Sequence, residues 1–215
     1  MLNIKRLMCN PLQENCYVVS DDSGECVIID CGAFYPEEEE AISNYIGREK
    51  LHPVHLLATH GHLDHNFGNT WIDRTYGLRV EIVRADDYLI EHLSEQAANL
   101  FGLQLPQEET SVGRWLADGE TISFGAHTLS VIGTPGHTPG SCLFWCKEEK
   151  VAFTGDTLFR MSIGRTDFDG GSYKQMVESL RLIAATLPTD TTIYCGHGQS
   201  STIADELHYN PYLRV

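Results

Sequence analysis

The sequence has no long apolar run and few basic residues. No apolar stretch reaches the roughly 20 residues that cross a bilayer. The start, MLNIKRLMCNPLQENC, has no continuous apolar stretch of signal-peptide length. Lysine and arginine number 15 against 30 aspartates and glutamates, for a formal net charge of −15. We therefore expect a soluble, cytoplasmic protein that binds neither membranes nor nucleic acid, because an acidic surface without a basic tract repels phosphate groups.

Cysteine is present, but not in the pattern of a disulfide framework. The seven cysteines are odd in number and scattered, unlike those of a secreted, cross-linked domain. Cys142 and Cys146 lie on one face of the predicted strand SCLFWC, about 13 Å apart at roughly 3.3 Å per residue, which is too far for a disulfide. We expect both to be core residues. Cys31 and Cys195, which lie close to candidate site residues, are interpreted as buried spacers.

The order of predicted elements favours layers of helices and strands. The 42% hydrophobic content allows a proper core, and we find no internal repeat or low-complexity linker. Strands and helices follow one another without steady alternation, which predicts α/β layers rather than a doubly wound sheet. Helices are expected over 36–47, 65–76 and 85–101, after Ser172 and near Ile203, and 102–119 is interpreted as a surface excursion. The expected strands are NCYVVS, ECVIID, VHLLAT, RVEIV, TISF, TLSVIG, SCLFWC, VAFTG and TIYCG.

Histidine and aspartate are concentrated in one short segment, THGHLDH at 59–65. A regular strand or helix would not bring all of these side chains together, but a strand end that turns sharply into a helix would. VHLLA before the segment is strand-like, and Gly61 lets the backbone bend. Crowded imidazole and carboxylate groups indicate a metal site, because such polar groups are otherwise costly to bury together. A histidine and aspartate set without cysteine favours zinc, with iron or manganese as alternatives.

Three later segments each place one metal-type side chain after an apolar strand and a glycine. They are VIGTPGHTPGS with His137, AFTGDTLF with Asp156, and IYCGHGQS with His197. In layered α/β folds, functional groups gather where the strands end. Each segment alone is weak evidence, since a lone strand-end histidine or aspartate is more often a turn or cap residue. Together with THGHLDH they predict a single site.

Five histidines and two aspartates suit two divalent metal ions. Two ions about 3.5–4 Å apart hold a water and lower its pKa towards 7, which gives a hydroxide nucleophile at neutral pH. The expected ligands are His60, His62 and His137 for one ion, Asp64, His65 and His197 for the other, and Asp156 as the bridge. The remaining histidines are interpreted as structural or surface residues: His52, His55, His92, His127 and His208.

The motifs resemble those of the metallo-β-lactamase-fold hydrolases. NCYVV, VIIDCG, THGHLDH, GTPGHTPGS, GDTLF and GHG occur in that family's order and cover nearly the whole chain. The resemblance implies a four-layer αββα sandwich, with a two-metal site at one edge of the sheets and the same ligand partition. Asp30, in VIIDCG, matches a family aspartate behind a metal-binding histidine; the alternative is a strand-end turn residue. Asp30 and Asp64 are the candidate catalytic residues.

Within that family, GDTLFRMSIGRTDFDGG and GHGQSSTIADELHYNPYL are similar to segments of glyoxalase II. Those enzymes hydrolyse hydroxyacylglutathione thioesters such as S-lactoylglutathione, and the implied mechanism is attack of a metal-bridging hydroxide on the thioester carbonyl. Only 18 residues follow His197. The chain therefore resembles the short type, a single domain over residues 1–215 without the basic, glutathione-binding helical domain. Arg165 is the basic residue best placed to bind an anionic substrate; the alternative is an ion pair with Asp167 or Asp169.

Other functions fit the same motifs. A persulfide dioxygenase shares the fold and a similar GRTDF segment, but would use a single iron and consume oxygen. A lactonase or another esterase would use the same water. The negative charge and the lack of a basic arm oppose a nuclease, and the full set of ligands opposes a metal-free binding module. We expect an enzyme that acts on a small-molecule thioester.

Overall fold

Two six-stranded sheets form the centre of the molecule in the computed structural model, which describes residues 1–102, 104 and 111–213. The strands of the first sheet are β1 (Asn3–Cys9), β2 (Glu14–Ser20), β3 (Glu25–Ile29), β4 (His52–Leu57), β5 (Val80–Val83) and β6 (Arg114–Leu116). They lie in chain order across the sheet. The pairs among β1, β2 and β3 are antiparallel, whereas β3, β4, β5 and β6 run parallel.

The second sheet faces the first and has the order β14-β13-β10-β9-β8-β7. Its strands are β7 (Thr121–Phe124), β8 (His127–Gly133), β9 (Cys142–Cys146), β10 (Val151–Gly155), β13 (Thr192–Cys195) and β14 (Ser201–Thr202). A separate short hairpin joins β11 (Leu158–Phe159) to β12 (Ser162–Ile163). β10 and β13 are the parallel pair of this sheet, so both strands end at the same edge.

Helices cover the outer faces of the two sheets. The α-helices are α1 (Pro36–Glu49), α2 (Asn69–Tyr76), α3 (Asp87–Glu91), α4 (Leu93–Gln96), α5 (Tyr173–Thr186) and α6 (Ile203–Tyr209). Shorter turns of helix are the 3₁₀ turns Leu63–His65 and Arg84–Asp86 and the π turn Ala97–Phe101. Among the described residues, no helix combines the length and apolar character needed to cross a bilayer.

The apolar core is divided into layers because alternate residues of a strand point to opposite faces. In β3, Cys26 and Ile28 pack against α1, whereas Val27 and Ile29 contact the second sheet. On the far face of the second sheet, its strands pack against α5 and α6. The order of layers is helix, sheet, sheet, helix. The predicted four-layer αββα sandwich is therefore confirmed.

The carboxyl ends of β4 and β10 meet at one edge of the sandwich, where Thr59 links the two sheets. The Thr59 carbonyl accepts a hydrogen bond from the Cys142 amide at 2.9 Å. A Cβ at Gly155 would lie 2.3 Å from the Thr59 hydroxyl, and the φ of Gly155 is +47°. Only glycine fits this contact, because any larger residue would clash and strain the backbone.

Two predicted helices differ from those in the structure. The helix expected from His65 starts at Asn69, and His65 itself lies in a 3₁₀ turn. The Asn66 side chain donates to the carbonyls of His60 and His62, at 3.0 and 2.7 Å, and so stabilises a 3₁₀ turn in place of the first turn of an α-helix. The single helix expected over 85–101 is divided into α3, α4 and a π turn.

The interpretation of 102–119 as a surface excursion misses β6, which pairs with β5. That pairing depends on a contact distant in sequence, which apolar periodicity does not show. Residues 103 and 105–110 of the predicted excursion lie outside the described part. The core placement of Cys142 and Cys146 is confirmed, since both are buried between the sheets. Ser172 caps α5 as expected, accepting a hydrogen bond from the Gln175 amide at 3.3 Å.

Candidate metal centre

The seven predicted ligands converge at the edge of the sandwich where the strands end. Among the described residues there are four groups of possible metal ligands, and within each group the ligand atoms lie within 4.8 Å of one another. Two of these groups are the predicted ligand sets of the two ions, and a third joins members of both sets through Asp156. These three groups are His60, His62 and His137; Asp64, His65 and His197; and His60, His65 and Asp156.

The first set is formed by imidazoles from two loops. His60 and His62 follow β4, and His137 follows β8. His62 Nδ1 and His137 Nε2 lie 2.8 Å apart. Burial and then the positive charge that His137 would carry lower the pKa of His62 to about 3. Burial and the surrounding imidazoles likewise place the pKa of His60 well below its usual value. Both rings are neutral at pH 7 and have a lone pair for a metal ion.

The second set combines a carboxylate with two imidazoles. His197 Nε2 lies 3.2 Å from Asp64 Oδ2, and His65 Nε2 lies 3.7 Å from the same oxygen. Burial alone would raise the pKa of Asp64, but the charges of His65 and His197 outweigh burial and lower it. The carboxylate is therefore ionised at neutral pH and is a suitable metal ligand.

Asp156 lies between the two sets. Its Oδ1 is 3.4 Å from His65 Nε2, and its Oδ2 is 3.5 Å from His137 Nε2 and 3.6 Å from His197 Nε2. One carboxylate thus faces imidazoles from both sets, which is the position the sequence predicts for a bridging ligand. Burial raises the pKa of Asp156, but the His65 and His137 charges more than reverse the effect and hold it below its ordinary value.

Most of the histidines have their second ring nitrogen occupied on the side away from the centre. Nδ1 of His137 bonds to the Arg165 carbonyl at 2.7 Å, and Nδ1 of His197 to the Leu12 carbonyl at 3.1 Å. Because a carbonyl oxygen can only accept, Nδ1 carries the proton in both rings. Nε2 then faces the centre as an acceptor, which is the orientation that metal-binding histidines adopt.

Asp30 lies behind His65 and orients it. Its Oδ2 accepts from His65 Nδ1 at 3.0 Å and from the Thr59 hydroxyl at 2.7 Å, and its Oδ1 accepts from the Thr59 amide at 2.7 Å. The left-handed backbone of Asp30, with φ of 53°, directs the carboxylate there. Asp30 touches the imidazole rather than the open pocket, so any role in catalysis runs through His65.

Several buried polar atoms in the centre lack a hydrogen-bond partner among the described residues. They include Nε2 of His60, Nε2 of His65 and Oδ1 of Asp156. Leaving such atoms unpaired in a protein interior costs free energy, and a bound cation would satisfy all three. Imidazole nitrogens and carboxylate oxygens are also the donors that zinc, iron and manganese accept. The residues therefore fit divalent metal ions.

A pocket of about 310 Å³ opens onto the centre. Its walls include the ligands His62, Asp64, His137, Asp156 and His197, together with Leu12, Leu63, Phe159, Gly164, Arg165 and Phe168. The Arg165 guanidinium lies 4.0 Å from the centre of the Phe168 ring and makes two 2.7 Å hydrogen bonds to Asp167. The ion pair with Asp167, one of the alternatives for Arg165, is thus present.

Cys31 and Cys195 are both buried free thiols, as expected of spacers. The Cys195 thiol donates to the Gln199 carbonyl at 3.7 Å. Burial raises the pKa of Cys195 to about 12. Since the thiolate is the reactive form, the structure disfavours oxidation of this cysteine.

Some residues that hold the site together have no sequence signal. Thr59 lies in THGHLDH, but nothing in the sequence indicates that its amide and hydroxyl bond to Asp30. Asn10 donates to the carbonyls of Gly32 and Asp64, at 2.9 and 2.8 Å, and so ties the second ligand set to the start of the chain. These bonds join segments more than 20 positions apart, and asparagine in a turn gives no local hint of them.

The family model of the metallo-β-lactamase superfamily matches residues 9–197. The chain belongs to the metallo-β-lactamase superfamily. A relative in this superfamily, the hydroxyacylglutathione hydrolase GloC of Haemophilus influenzae, is 37% identical over 99% of this chain and 98% of its own. The present superfamily member is accordingly a metallo-hydrolase, and its fold and histidine–aspartate cluster indicate divalent metal ions.

Two solved structures superpose on this chain over nearly their full lengths. The BLEG-1 B3 metallo-β-lactamase has a TM-score of 0.86 and 32% identity, covering 99% of this chain and 100% of that one. TTHA1623, solved in a di-iron-bound form, has a TM-score of 0.85 and 35% identity, covering 97% and 100%. A protein of similar fold thus has a di-iron-bound form.

Proposed function

We propose that the protein is a metal-dependent thioesterase that hydrolyses hydroxyacylglutathione-type thioesters. The observation that carries the proposal is the convergence of seven ionisable side chains, with unpaired buried atoms among them, at a pocket of small-molecule size that five of them line. The similarity to a hydroxyacylglutathione hydrolase along the whole chain supports the choice of substrate class.

The proposed ligands divide into the two sets described above, with Asp156 between them. His60, His62 and His137 would hold one ion, Asp64, His65 and His197 the other, and Asp156 would bridge them. Divalent ions bound there would supply a water nucleophile at neutral pH and withdraw charge from the substrate carbonyl. We propose zinc as the metal, with iron or manganese as alternatives, and the di-iron form of TTHA1623 makes iron the first alternative to test.

The chain's own groups orient the reactants. Asp64 lines the pocket, where its carboxylate would accept a hydrogen bond from the attacking water and direct it towards the thioester. Asp30 would keep Nδ1 of His65 protonated, so that Nε2 stays directed into the centre. Leu12, Phe159 and Phe168 give the pocket apolar walls that receive the substrate and exclude bulk water.

Arg165 is the proposed contact for an anionic substrate group. Arg165 lines the pocket, but Asp167 neutralises part of the charge of its guanidinium. An exposed ion pair contributes little free energy, so we propose a supporting role for Arg165 in substrate binding.

The proposal is tested by S-lactoylglutathione hydrolysis with zinc-, iron- and manganese-loaded protein side by side. Activity is expected to disappear on chelation and to return with metal. His197→Gln should reduce kcat/KM by at least about a hundredfold, because it removes a ligand of the site. His127→Gln is the matched control, since His127 pairs with Asp21 and Glu149 away from the centre. Absence of thioester hydrolysis with all three metals would refute the proposal.

A further inference from the structure

Asp86 is a fully buried carboxylate outside every motif of the sequence. It ends the 3₁₀ turn Arg84–Asp86 after β5 and has a relative exposure of 0%. Burial raises the pKa of its carboxyl, and hydrogen bonds from Thr138 and two backbone amides oppose the shift. A buried carboxyl is costly unless its oxygens are well paired. The hydrogen-bond partners of the Asp86 carboxylate therefore indicate its role.

Among the described residues, all the hydrogen-bond partners of the Asp86 carboxylate lie in the two loops that carry the first ligand set, one of which also carries Asp64 and His65. Oδ2 accepts from the Gly61 amide at 2.8 Å and from the Thr138 hydroxyl at 2.6 Å. Oδ1 accepts from the Gly140 amide at 2.6 Å. Gly61 lies between His60 and His62 in the chain, and Thr138 directly follows His137. A single carboxylate thus joins the loops that supply all three imidazoles.

The loop after β8 has little room to move relative to Asp86. A Cβ at Gly140 would lie 2.6 Å from the Asp86 carboxyl carbon, so only glycine allows this approach. The Thr138 hydroxyl also lies 2.8 Å from the Ser141 hydroxyl, which ties the loop to itself. The second ligand set, Asp64, His65 and His197, has no hydrogen bond to Asp86 among those of the described residues.

We propose that Asp86 is a positioning residue that fixes His60, His62 and His137 as a unit, and so sets the affinity of one of the two metal positions. The inference deepens the proposed function and rests on its ligand partition, but not on the identity of the substrate. Asparagine cannot replace aspartate here. Its amide has a single acceptor oxygen, and whichever way it is turned, its NH₂ group faces a backbone N–H.

The test is a metal titration of Asp86→Asn with cobalt(II), followed by the visible absorption of the bound ion and by competition with a chromophoric chelator. One equivalent is expected to bind as in the parent protein. The other is expected to bind at least about tenfold more weakly, because loss of a group that orients ligands costs 10–100-fold in affinity. Thr138→Val removes one hydroxyl donor and keeps both amide bonds, so its effect should have the same direction and be smaller.

Glu206→Gln is the matched control. Glu206 is also buried, and it accepts from the Met161 amide at 2.8 Å and from the Asn210 side chain at 2.7 Å, away from the ligand loops. It should lower the melting temperature and leave both cobalt equivalents unchanged. Unchanged binding in Asp86→Asn would overturn the proposal, and so would equal weakening of both equivalents. If Asp86→Asn does not fold, unchanged cobalt binding in Thr138→Val overturns it.

The titration contains no thioester, so it separates this inference from the proposed function. Selective loss of one equivalent supports the positioning role even if S-lactoylglutathione is not a substrate. If S-lactoylglutathione is hydrolysed, kcat of Asp86→Asn should recover as the metal concentration rises while KM stays constant. A change in KM that excess metal does not reverse would contradict a role that acts through the metal position.

Discussion

At the scale of single residues, the Asp30 carboxylate orients the His65 imidazole through a direct hydrogen bond. Its oxygens accept from the Thr59 amide, the Thr59 hydroxyl and His65 Nδ1. All three partners donate, so the acceptor-only form of the side chain is required. The environment of His65 includes the charges of Asp64 and Asp156 as well, and together they raise its pKa despite burial.

We therefore expect Asp30→Asn to weaken metal binding by about 10–100-fold while the protein remains folded. The amide would direct an NH₂ group at a donor and release the His65 ring from its orientation. Competition with a chromophoric chelator measures the affinity. Asp118→Asn is a suitable control, because Asp118 accepts from the Gly133 amide at 2.8 Å on an exposed side chain away from the ligands. Equal affinities in the parent and Asp30→Asn would show that His65 needs no such partner.

At the scale of elements, His127 connects three segments from both sheets. It begins β8, and its Nδ1 lies 3.0 Å from Asp21 after β2, while its Nε2 lies 3.0 Å from Glu149 in the turn between β9 and β10. Burial opposes protonation of His127, but the bonds to Asp21 and Glu149 outweigh it and raise the pKa. Although burial raises the pKa of Asp21, hydrogen bonds from Ser23, Ala126 and His127 lower it overall.

These shifts predict a pH-dependent contribution to stability. Because the pKa of His127 is raised in the folded state, protonated His127 stabilises the fold. This contribution is fully present below the unfolded pKa of about 6.5 and is lost as pH rises through the folded pKa. Because the pKa of Asp21 is lowered in the folded state, ionised Asp21 also stabilises the fold. This contribution is fully present above the unfolded pKa of about 3.9 and is lost as pH falls through the folded pKa. The difference in melting temperature between the parent and His127→Gln, both metal-free, should be largest near pH 5–6 and decline towards pH 9. A difference that is constant with pH would contradict the assigned ion pairs.

At the scale of the whole molecule, the two sheets share one core. Val27 and Ile29 of the first sheet are buried in the same apolar cluster as Phe144 and Phe153 of the second. Neither sheet can expose its inner face without losing that burial, so we propose that residues 1–215 fold as one domain. Trp71, on α2, reports on the first sheet, and Trp145, in β9, reports on the second.

Unfolding of metal-free protein is expected to be a single transition. Variants that keep only Trp71 or only Trp145, with phenylalanine at the other tryptophans, should give fluorescence midpoints in urea that agree with each other and with circular dichroism. The agreement follows because loss of the central core exposes both sheets together. Two separate midpoints would indicate that the sheets belong to independently folding units.

The sequence by itself determined the types of the candidate ligands and where they lie relative to strands. Short apolar runs followed by glycine and one histidine or aspartate predict strand ends, and strand ends share an edge in a layered α/β fold. THGHLDH, His137, Asp156 and His197 follow from that local pattern, and the four-layer sandwich follows from the resemblance that these motifs carry. The continuous apolar run CVII of β3 also predicts burial on both faces.

Only the tertiary structure decided how those ligands are held. The carboxylate of Asp86 meets Gly61 from 25 positions away and Gly140 from 54, and Arg165 is paired with Asp167 rather than left free. Such contacts arise when strands distant in sequence are brought side by side. Long-range hydrogen bonds leave no periodic pattern in the sequence, unlike the apolar residues of a strand or helix. Donors and acceptors are satisfied across the fold, so the partners of a buried carboxylate become known only when the layers are assembled.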